Sequence, residues 1–392
     1  MDLALYDAEA GYYARAPQRS GRAGDFFTSV DVGAIFGDLL ERQIAEMAAI
    51  LVEAPESRAG TAATGDAGAA FDLVEAGAGN GRLAADILRA ARRRHPSLYG
   101  RTHLHLAEAS AEARAAQHET LAEVADRLRS SSGALPDTFE GVLVANELLD
   151  AFPVHQVVMR EDGLREVYVD ADREGAFAVA ARGLRPEAAR SGGPPGDRFV
   201  LVEGPLSTPV LREHLARLHV ALEPGWRAEI NLRAVDWVRD ASRRLARGFI
   251  ILIDYGHAAR DLYSAAHSSG TLTAYSTHRM EGPDSRGSAP PWLRRPGEQD
   301  ITSHVDFTSV RDAAESEGLT TIGFLDQTYF VMGLLGSEDL ANTAGAAAVQ
   351  KSLALRTLLM PGGLGSTHKV LLLGKRVGEP ALLGCSFRGR VT

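Results

Sequence analysis

The stretch Phe71-Asp72-Leu73-Val74-Glu75-Ala76-Gly77-Ala78-Gly79-Asn80-Gly81 decides the fold. Phe71–Ala76 is a short apolar run that ends at a glycine-rich turn, which is how a buried strand reads. Glycines at alternate positions let the chain turn tightly and bring its backbone close to a ligand. Residues 80–94 then show helical spacing through Leu83, Ile87, Leu88 and Ala91. Outward from this unit the alternation continues. Residues 103–108 form a strand that ends in Glu108, and residues 110–129 form a helix with Ser110 as N-cap. Residues 141–145 form a strand ending at Asn146-Glu147, and residues 249–253 form the most hydrophobic strand, ending at Asp254-Tyr255-Gly256. Segments 320–325, 327–331 and 369–373 complete the sheet as antiparallel strands. Alternating strands and helices predict an α/β fold, and continuous apolar strands predict a mostly parallel sheet covered on both faces.

The bulk composition fits one such domain with large insertions. The chain has 392 residues, of which 45% are hydrophobic and 24% charged, so it can bury a sizeable core. Its 42 Lys and Arg against 51 Asp and Glu give a net charge of −9, which supplies no global attraction to nucleic acid or to an anionic membrane. The run Arg92-Arg93-Arg94 reads as a solvated helix end. Cys385 is the single cysteine, which excludes an intramolecular disulfide and a cysteine-based zinc site. The start of the chain has no secretory pattern and no apolar run is long enough to span a bilayer, so a cytoplasmic protein is expected. Segments 53–70, 183–198 and 282–298 are rich in helix and strand breakers and read as loops.

The glycine turn, Glu108, Asn146-Glu147 and Asp254 all fall just past the C-terminal ends of predicted strands, where open α/β sheets bind ligands. Arg82 stands where a dinucleotide fingerprint has its last glycine, so the spacing favours a nucleoside cofactor without a pyrophosphate. Glu108 can accept both ribose hydroxyls. The plainer reading is a tight turn followed by an acid capping a strand, and a nicotinamide or flavin remains the competing cofactor within this fold.

A family resemblance runs from about Leu3 to Leu373. It is carried by Tyr6-Asp7 with Gly11-Tyr12-Tyr13, by Gly24-Asp25-Phe26-Phe27-Thr28-Ser29 with Phe36-Gly37, and by Glu75 to Gly81. It continues, in the same order, through Asn146 to Val154, Ile253 to Gly256, Gly270-Thr271-Leu272 and Asp300 to Phe307. The chain resembles the MidA-like class I methyltransferases, whose mitochondrial members assist respiratory complex I assembly. The resemblance implies a Rossmann-like class I methyltransferase fold, with a mostly parallel seven-stranded sheet, helices on both faces and inserted α+β segments. It implies S-adenosyl-L-methionine as cofactor and, for mitochondrial members, an arginine of a complex I subunit as acceptor. Residues 1–52 become a segment covering the cofactor, 71–150 and 248–376 the core, 151–247 an inserted substrate-side segment, and 282–298 a Pro/Gly-rich loop. The family carries a helix before the Tyr6 block, and this chain begins almost inside that block, so any wall that helix supplies is expected to be missing or to come from elsewhere.

The expected cofactor residues are Asp25, Thr28, Glu75, Gly77, Gly79, Gly81, Glu108 and Asn146. A guanidinium is normally protonated, because its pKa exceeds about 12. A pair of carboxylates can grip it in a fork and concentrate electron density on the attacking nitrogen. Glu147 and Asp150, three residues apart and on one face if that turn is helical, are the expected pair. The alternative is an ordinary helix start with Asn146 as N-cap. Asp254 and Tyr255 either line the acceptor pocket or cap a turn. His304 is a candidate proton carrier or helix-entry residue, and a metal site from Asp300, His304 and Asp306 lacks a fourth ligand, so no metal is expected. The expected partner is a protein or small-molecule methyl acceptor, with no nucleic acid, no membrane insertion and a homodimer left open. Competing functions are a small-molecule methyltransferase acting on free arginine or a carboxylate metabolite, a binding-only assembly factor, and a nicotinamide oxidoreductase.

Overall fold

The computed structural model describes residues 1–14, 28–53, 69–171, 185–190, 199–276, 279–283, 290–336, 339, 346–359 and 367–387. Seven strands build the central sheet: β1 (Phe71–Ala76), β2 (Thr102–Ala107), β3 (Leu128–Ser132), β4 (Phe139–Asn146), β5 (Leu245–His257), β6 (Thr320–Asp326) and β7 (His368–Lys375). They lie in the order β3-β2-β1-β4-β5-β7-β6, and the two-residue strand Val305–Asp306 pairs with the end of β5. All neighbours among β3, β2, β1, β4 and β5 are parallel, whereas β7 runs antiparallel to both β5 and β6. The order reverses at β1, so β1 and β4 diverge in their connections and leave a crevice at their C-terminal ends.

The apolar runs explain the burial. Phe249, Ile250, Ile251, Leu252 and Ile253 on β5 are all fully buried, because alternate side chains feed two separate cores. Phe249, Ile251 and Ile253 meet helices Ile35–Glu53, Arg82–Arg94 and Gln327–Leu334 on one face. Ile250 and Leu252 meet helices Leu232–Arg244 and Phe307–Ser316 on the other. Leu232–Arg244, read from sequence as inserted, therefore packs on the central sheet through Val235, Val238 and Ala241.

Between β4 and that helix stands a five-stranded antiparallel sheet, in the order Arg185–Arg190, Phe199–Gly204, Gly163–Ala171, His155–Arg160, Arg227–Ile230. A three-stranded sheet of Arg279–Glu281, Thr273–Ser276 and Asp300–Thr302 follows. The short helix Asp2–Tyr6 and the turn at Tyr12 pack through Leu5 and Tyr12 against Leu201, Leu272, Trp292 and Ile301. The chain start is thereby held over the C-terminal edge of the central sheet.

Four expectations are corrected. Residues 327–331 belong to the helix Gln327–Leu334, not to a strand, because their apolar side chains Phe330, Val331 and Leu334 share one buried helical face. β6 lies parallel to the sheet, and only β7 is antiparallel. The helix read over 110–129 is an α-helix to Leu121 and a 3-10 helix over Ala122–Arg127, and its last two residues open β3; with the sequence Leu-Arg-Ser-Ser-Ser that strand is a largely solvent-facing edge with no apolar pattern to reveal it. The loop read over 183–198 contains the strand Arg185–Arg190, which its lack of an apolar run conceals. Residues 54–68, 183–184, 191–198 and 284–289, within the three expected loops, and Asp25 lie outside the described residues.

Gly248 sits where β5 crosses β4, at φ +136, and a Cβ there would come 1.9 Å from the Gly141 carbonyl oxygen. Gly248→Ala must push two central strands apart in a close-packed sheet. It is expected to lower unfolding stability by at least about 3 kcal/mol, read from urea midpoints; an unchanged midpoint contradicts this register.

Candidate active site

The turn after β1 is built by backbone geometry. Gly77, Gly79 and Gly81 have φ of +68, +51 and +82, values that glycine adopts without strain. The Gly77 and Ala78 N–H groups donate to the Ala107 carbonyl at 2.9 and 3.2 Å, which ties the turn to β2. Gln117, fully buried, donates to the Gly79 carbonyl at 2.8 Å and is itself held by the Ser131 hydroxyl at 2.6 Å. A Cβ on Gly79 would meet nothing within 4 Å, so the turn's outer side is open, whereas one on Gly77 would come 3.0 Å from Leu148.

A cavity of about 550 Å³ opens at this point. Gly77, Glu108, Glu147, Leu148, Phe152 and Trp237 line it, with Tyr6 and Tyr13 from the chain start. Glu108 accepts from the Gly79 N–H at 2.8 Å and from the Ser110 N–H at 2.7 Å, so its carboxylate is fixed beside the turn and each oxygen keeps a free lone pair. Tyr6 donates to the Ala151 carbonyl at 3.1 Å and Tyr13 to Asp300 at 2.9 Å, which closes the chain start against the site.

Two expected cofactor residues lie elsewhere. Glu75 points beneath the turn and accepts from the Ala84 N–H at 3.0 Å; burial pushes its carboxyl up to about 8. Thr28 caps the short 3-10 helix Ser29–Val32 and shares Asp31 through a reciprocal capping box. Arg82 pairs with Asp31, so the residue that departs from the dinucleotide pattern anchors this segment to the turn. Asn146 ends β4 with its Oδ1 buried and unpartnered, while its amide donates to Glu147 at 3.3 Å.

Glu147 to Asp150 is not helical, which corrects both readings of that segment. Glu147 has φ +51, a left-handed conformation that costs a glutamate energy. Asp254 explains it. Its Oδ2 accepts from the N–H groups of Leu148, Leu149 and Asp150 at 3.2, 2.9 and 3.3 Å, and its Oδ1 from that of Tyr255 at 2.9 Å. Asp254 therefore caps the turn and does not line the cavity. Glu147 Oε1 accepts from the Ser29 N–H at 3.2 Å and lies 3.6 Å from His368 Nε2. Asp150 is buried with Oδ1 unpartnered and hydrogen-bonds with the Tyr255 hydroxyl. Burial first, then Asp300 and Glu147, raise its carboxyl to about 7, against the stabilising Tyr255 bond.

His304 stands outside the cavity wall. Its ring packs edge-on to Tyr255 at 5.8 Å, and burial with neighbouring His257 and His267 lowers its pKa to about 3. So weak a base is a poor proton carrier near neutrality. Asp306 caps the helix Phe307–Ser316 and Asp300 holds Tyr13, so neither joins His304 in a metal site. Sequence reading did not single out Gln117, Tyr6, Tyr13 or His368. The two tyrosines lie in the family's opening block, while Gln117 and His368 carry no local signal.

The family described as "Putative S-adenosyl-L-methionine-dependent methyltransferase" matches residues 58–325. The chain belongs to this methyltransferase family. A superfamily member from Burkholderia thailandensis, bound to S-adenosyl-homocysteine, superposes with a TM-score of 0.79 at 28% identity, covering 99% of this chain and 89% of that one. The methyltransferase is also 26% identical to the mitochondrial protein arginine methyltransferase NDUFAF7 homolog of Drosophila melanogaster, over 95% of this chain and 80% of that protein. It is 27% identical to the mitochondrial protein arginine methyltransferase NDUFAF7 of Mus musculus, over 85% and 69%. The expected cytoplasmic location is thereby corrected, since these relatives are mitochondrial proteins. No helix among the described residues is long and apolar enough to cross a membrane.

The cofactor of this methyltransferase is S-adenosylmethionine, and the residues present suit it. The open side of Gly79 leaves room that a Cβ would fill, Glu108 lines the cavity and binds the Gly79 N–H, and Asn146 Oδ1, at the end of the adjacent strand β4, is a buried acceptor without a partner. Gly79→Leu is expected to weaken S-adenosylhomocysteine binding at least about 100-fold by calorimetry. Its Cβ meets nothing within 4 Å, and the left-handed backbone costs about 1–2 kcal/mol. Unweakened binding by folded Gly79→Leu refutes this placement.

Proposed function

We propose that the methyltransferase N-methylates an arginine presented by a protein. The observation that carries this reading is Asp150, a buried carboxyl with an unpartnered oxygen, beneath Glu147, which lines the cavity. Unpaired buried acids are costly, and they persist where a cationic substrate completes them. The relatives named protein arginine methyltransferases support the same acceptor.

Bound adenosylmethionine supplies a methyl on a cationic sulfur, whose C–S bond breaks as the N–C bond forms, leaving the neutral sulfide. Gly77, Gly79, Gly81, Glu108 and Asn146 hold the donor, and Glu147 grips the guanidinium through charge-assisted hydrogen bonds. Asp150 takes the proton that the methylated nitrogen releases. A carboxyl poised near pH 7 is matched to that task, since it is ionised often enough to accept a proton and basic enough to hold it. Tyr255 and Asp254 position Asp150 from behind.

Labelled methyl transfer into cell lysate, with mass spectrometry of the products, tests the acceptor: methylarginine in a protein is expected, and label confined to metabolites overturns the reading. With that acceptor, kcat/KM should rise with pH through about 7 as Asp150 ionises. Asp150→Asn should lose about 100-fold or more together with that step. The stability sign runs opposite. The folded carboxyl keeps its proton to about pH 7 against an ordinary 3.8, so wild type loses stability relative to Asp150→Asn as pH rises through that window. A variant that retains the wild-type pH profile excludes Asp150 as the base.

A further inference from the structure

Three histidines converge beside the active site from separate parts of the chain. His257 ends β5, His267 closes the short 3-10 helix Ala265–His267, and His304 follows the strand Asp300–Thr302. Their ligating nitrogens all lie within 4.8 Å of one another. Among the described residues they form the single group of three or more His, Cys, Asp or Glu side chains arranged in this way.

We propose that His257, His267 and His304 bind a divalent ion of the zinc class, with a fourth position left to water or another exogenous ligand. The ring geometry favours this over simple stacking. Ring centroids are 4.8, 5.3 and 5.7 Å apart, with interplanar angles of 44°, 38° and 72°. Three imidazoles on a tetrahedral ion at zinc–nitrogen distances of about 2.0–2.1 Å have centroids about 5 Å apart and nitrogens about 3.3 Å apart. The centroids are already at that spacing, so small ring rotations bring the nitrogens together. The hydrogen bonding agrees. His304 Nδ1 is buried without a partner, an unusual state for a polar atom and an available ligand. His267 Nδ1 lies 3.0 Å from the Asp261 carbonyl oxygen, the kind of outer contact that fixes a ligating ring with its other nitrogen free.

Burial and mutual proximity keep His257 and His304 neutral, at about 4 and 3, and neutral imidazole is the ligand form. Metal binding needs no deprotonation of either at neutral pH. Three nitrogens in a tetrahedral arrangement suit zinc better than magnesium or calcium, which prefer oxygen donors. The ion would tie β5 to the two segments that follow it and fix the His304 ring against Tyr255, the residue that supports Asp150. Its role is positional and does not depend on the identity of the acceptor.

The test uses the whole chain after chelation and dialysis, titrated with cobalt(II) and then zinc(II). One equivalent of cobalt should give the intense visible absorption of a tetrahedral site, and one equivalent of zinc should abolish it and raise Tm. His267→Ala, on a partly exposed turn, should weaken binding about 100-fold or more, beyond the usual effect of outer-sphere changes, while still binding S-adenosylhomocysteine by calorimetry, which shows that it folds. His103→Ala, from a histidine on β2, should bind as wild type does. No stoichiometric binding by the wild type, a weak octahedral spectrum, or undiminished binding by folded His267→Ala each overturns the proposal.

Discussion

One carboxylate organises the catalytic end of the sheet. Asp254 accepts four backbone N–H groups, three of them from consecutive residues after β4. That arrangement forces the chain at Glu147 through a left-handed conformation that a non-glycine residue avoids on its own. Without the cap, three amides would be buried unpaired next to the cavity. With it, Leu148 is set against Gly77, Glu147 is turned into the cavity wall, and Asp150 is turned beneath it. Adjacent parallel strands β4 and β5 thus end in one structure, and the site inherits the rigidity of the most deeply buried strand in the sheet.

The same arrangement concentrates negative charge. Asp150 is acted on by Asp300 and Glu147, Asp254 by Asp150 and Glu147, and Tyr255 by both Asp150 and Asp254. Four ionised carboxylates in that volume would cost more than the turn geometry returns. The structure divides the problem. Asp254 accepts from four N–H groups, although burial beside Asp150 and Glu147 still pushes its carboxyl well above the usual carboxylate range, Asp300 accepts from Tyr13, and Glu147 accepts from Ser29 with His368 close by. Asp150 is the member left with an unused oxygen, and it answers by holding a proton to about pH 7. A group that destabilises the free protein in its ionised form is the group best able to profit from a cationic ligand, because only the complex satisfies it.

The sequence made the central fold legible because buried parallel strands have an unmistakable apolar signature. β1, β4 and β5 are read within a few residues of their ends, and the glycine turn is read from its spacing. β3 was invisible for the opposite reason, since an exposed edge strand of serines needs no apolar pattern. The 327–331 segment misled because a short apolar run is compatible with either a strand or a buried helical face, and only the packing of Phe330 and Val331 decides between them. Within the site, strand-end acids were readable as a set but their roles were not. Glu147 follows β4 and Asp254 lies near the end of β5, yet Asp254 faces inward as a cap and Glu147 faces the cavity. Pairings across long stretches of sequence, such as Gln117 with Gly79 or Ser29 with Glu147, leave no local trace.

The inserted sheets bear on what the cavity can accept. The chain start reaches the site only because Leu5 and Tyr12 are buried against Leu201, Leu272, Trp292 and Ile301. Tyr6 and Tyr13 project from this cluster and become cavity wall, each anchored by its hydroxyl, one to Ala151 beside the turn and one to Asp300. The wall opposite the cofactor turn therefore belongs to elements outside the central sheet. A change in their packing can reshape the acceptor side while leaving Gly77, Glu108 and the Asp254 cap in place. The glycine turn, Glu108 and Glu147 belong to strand ends that cannot move without breaking the core, whereas Tyr6 and Tyr13 enter the same cavity from a separately packed layer. That division lets the inserted layer reshape one wall of the cavity without disturbing the strand ends that form the other.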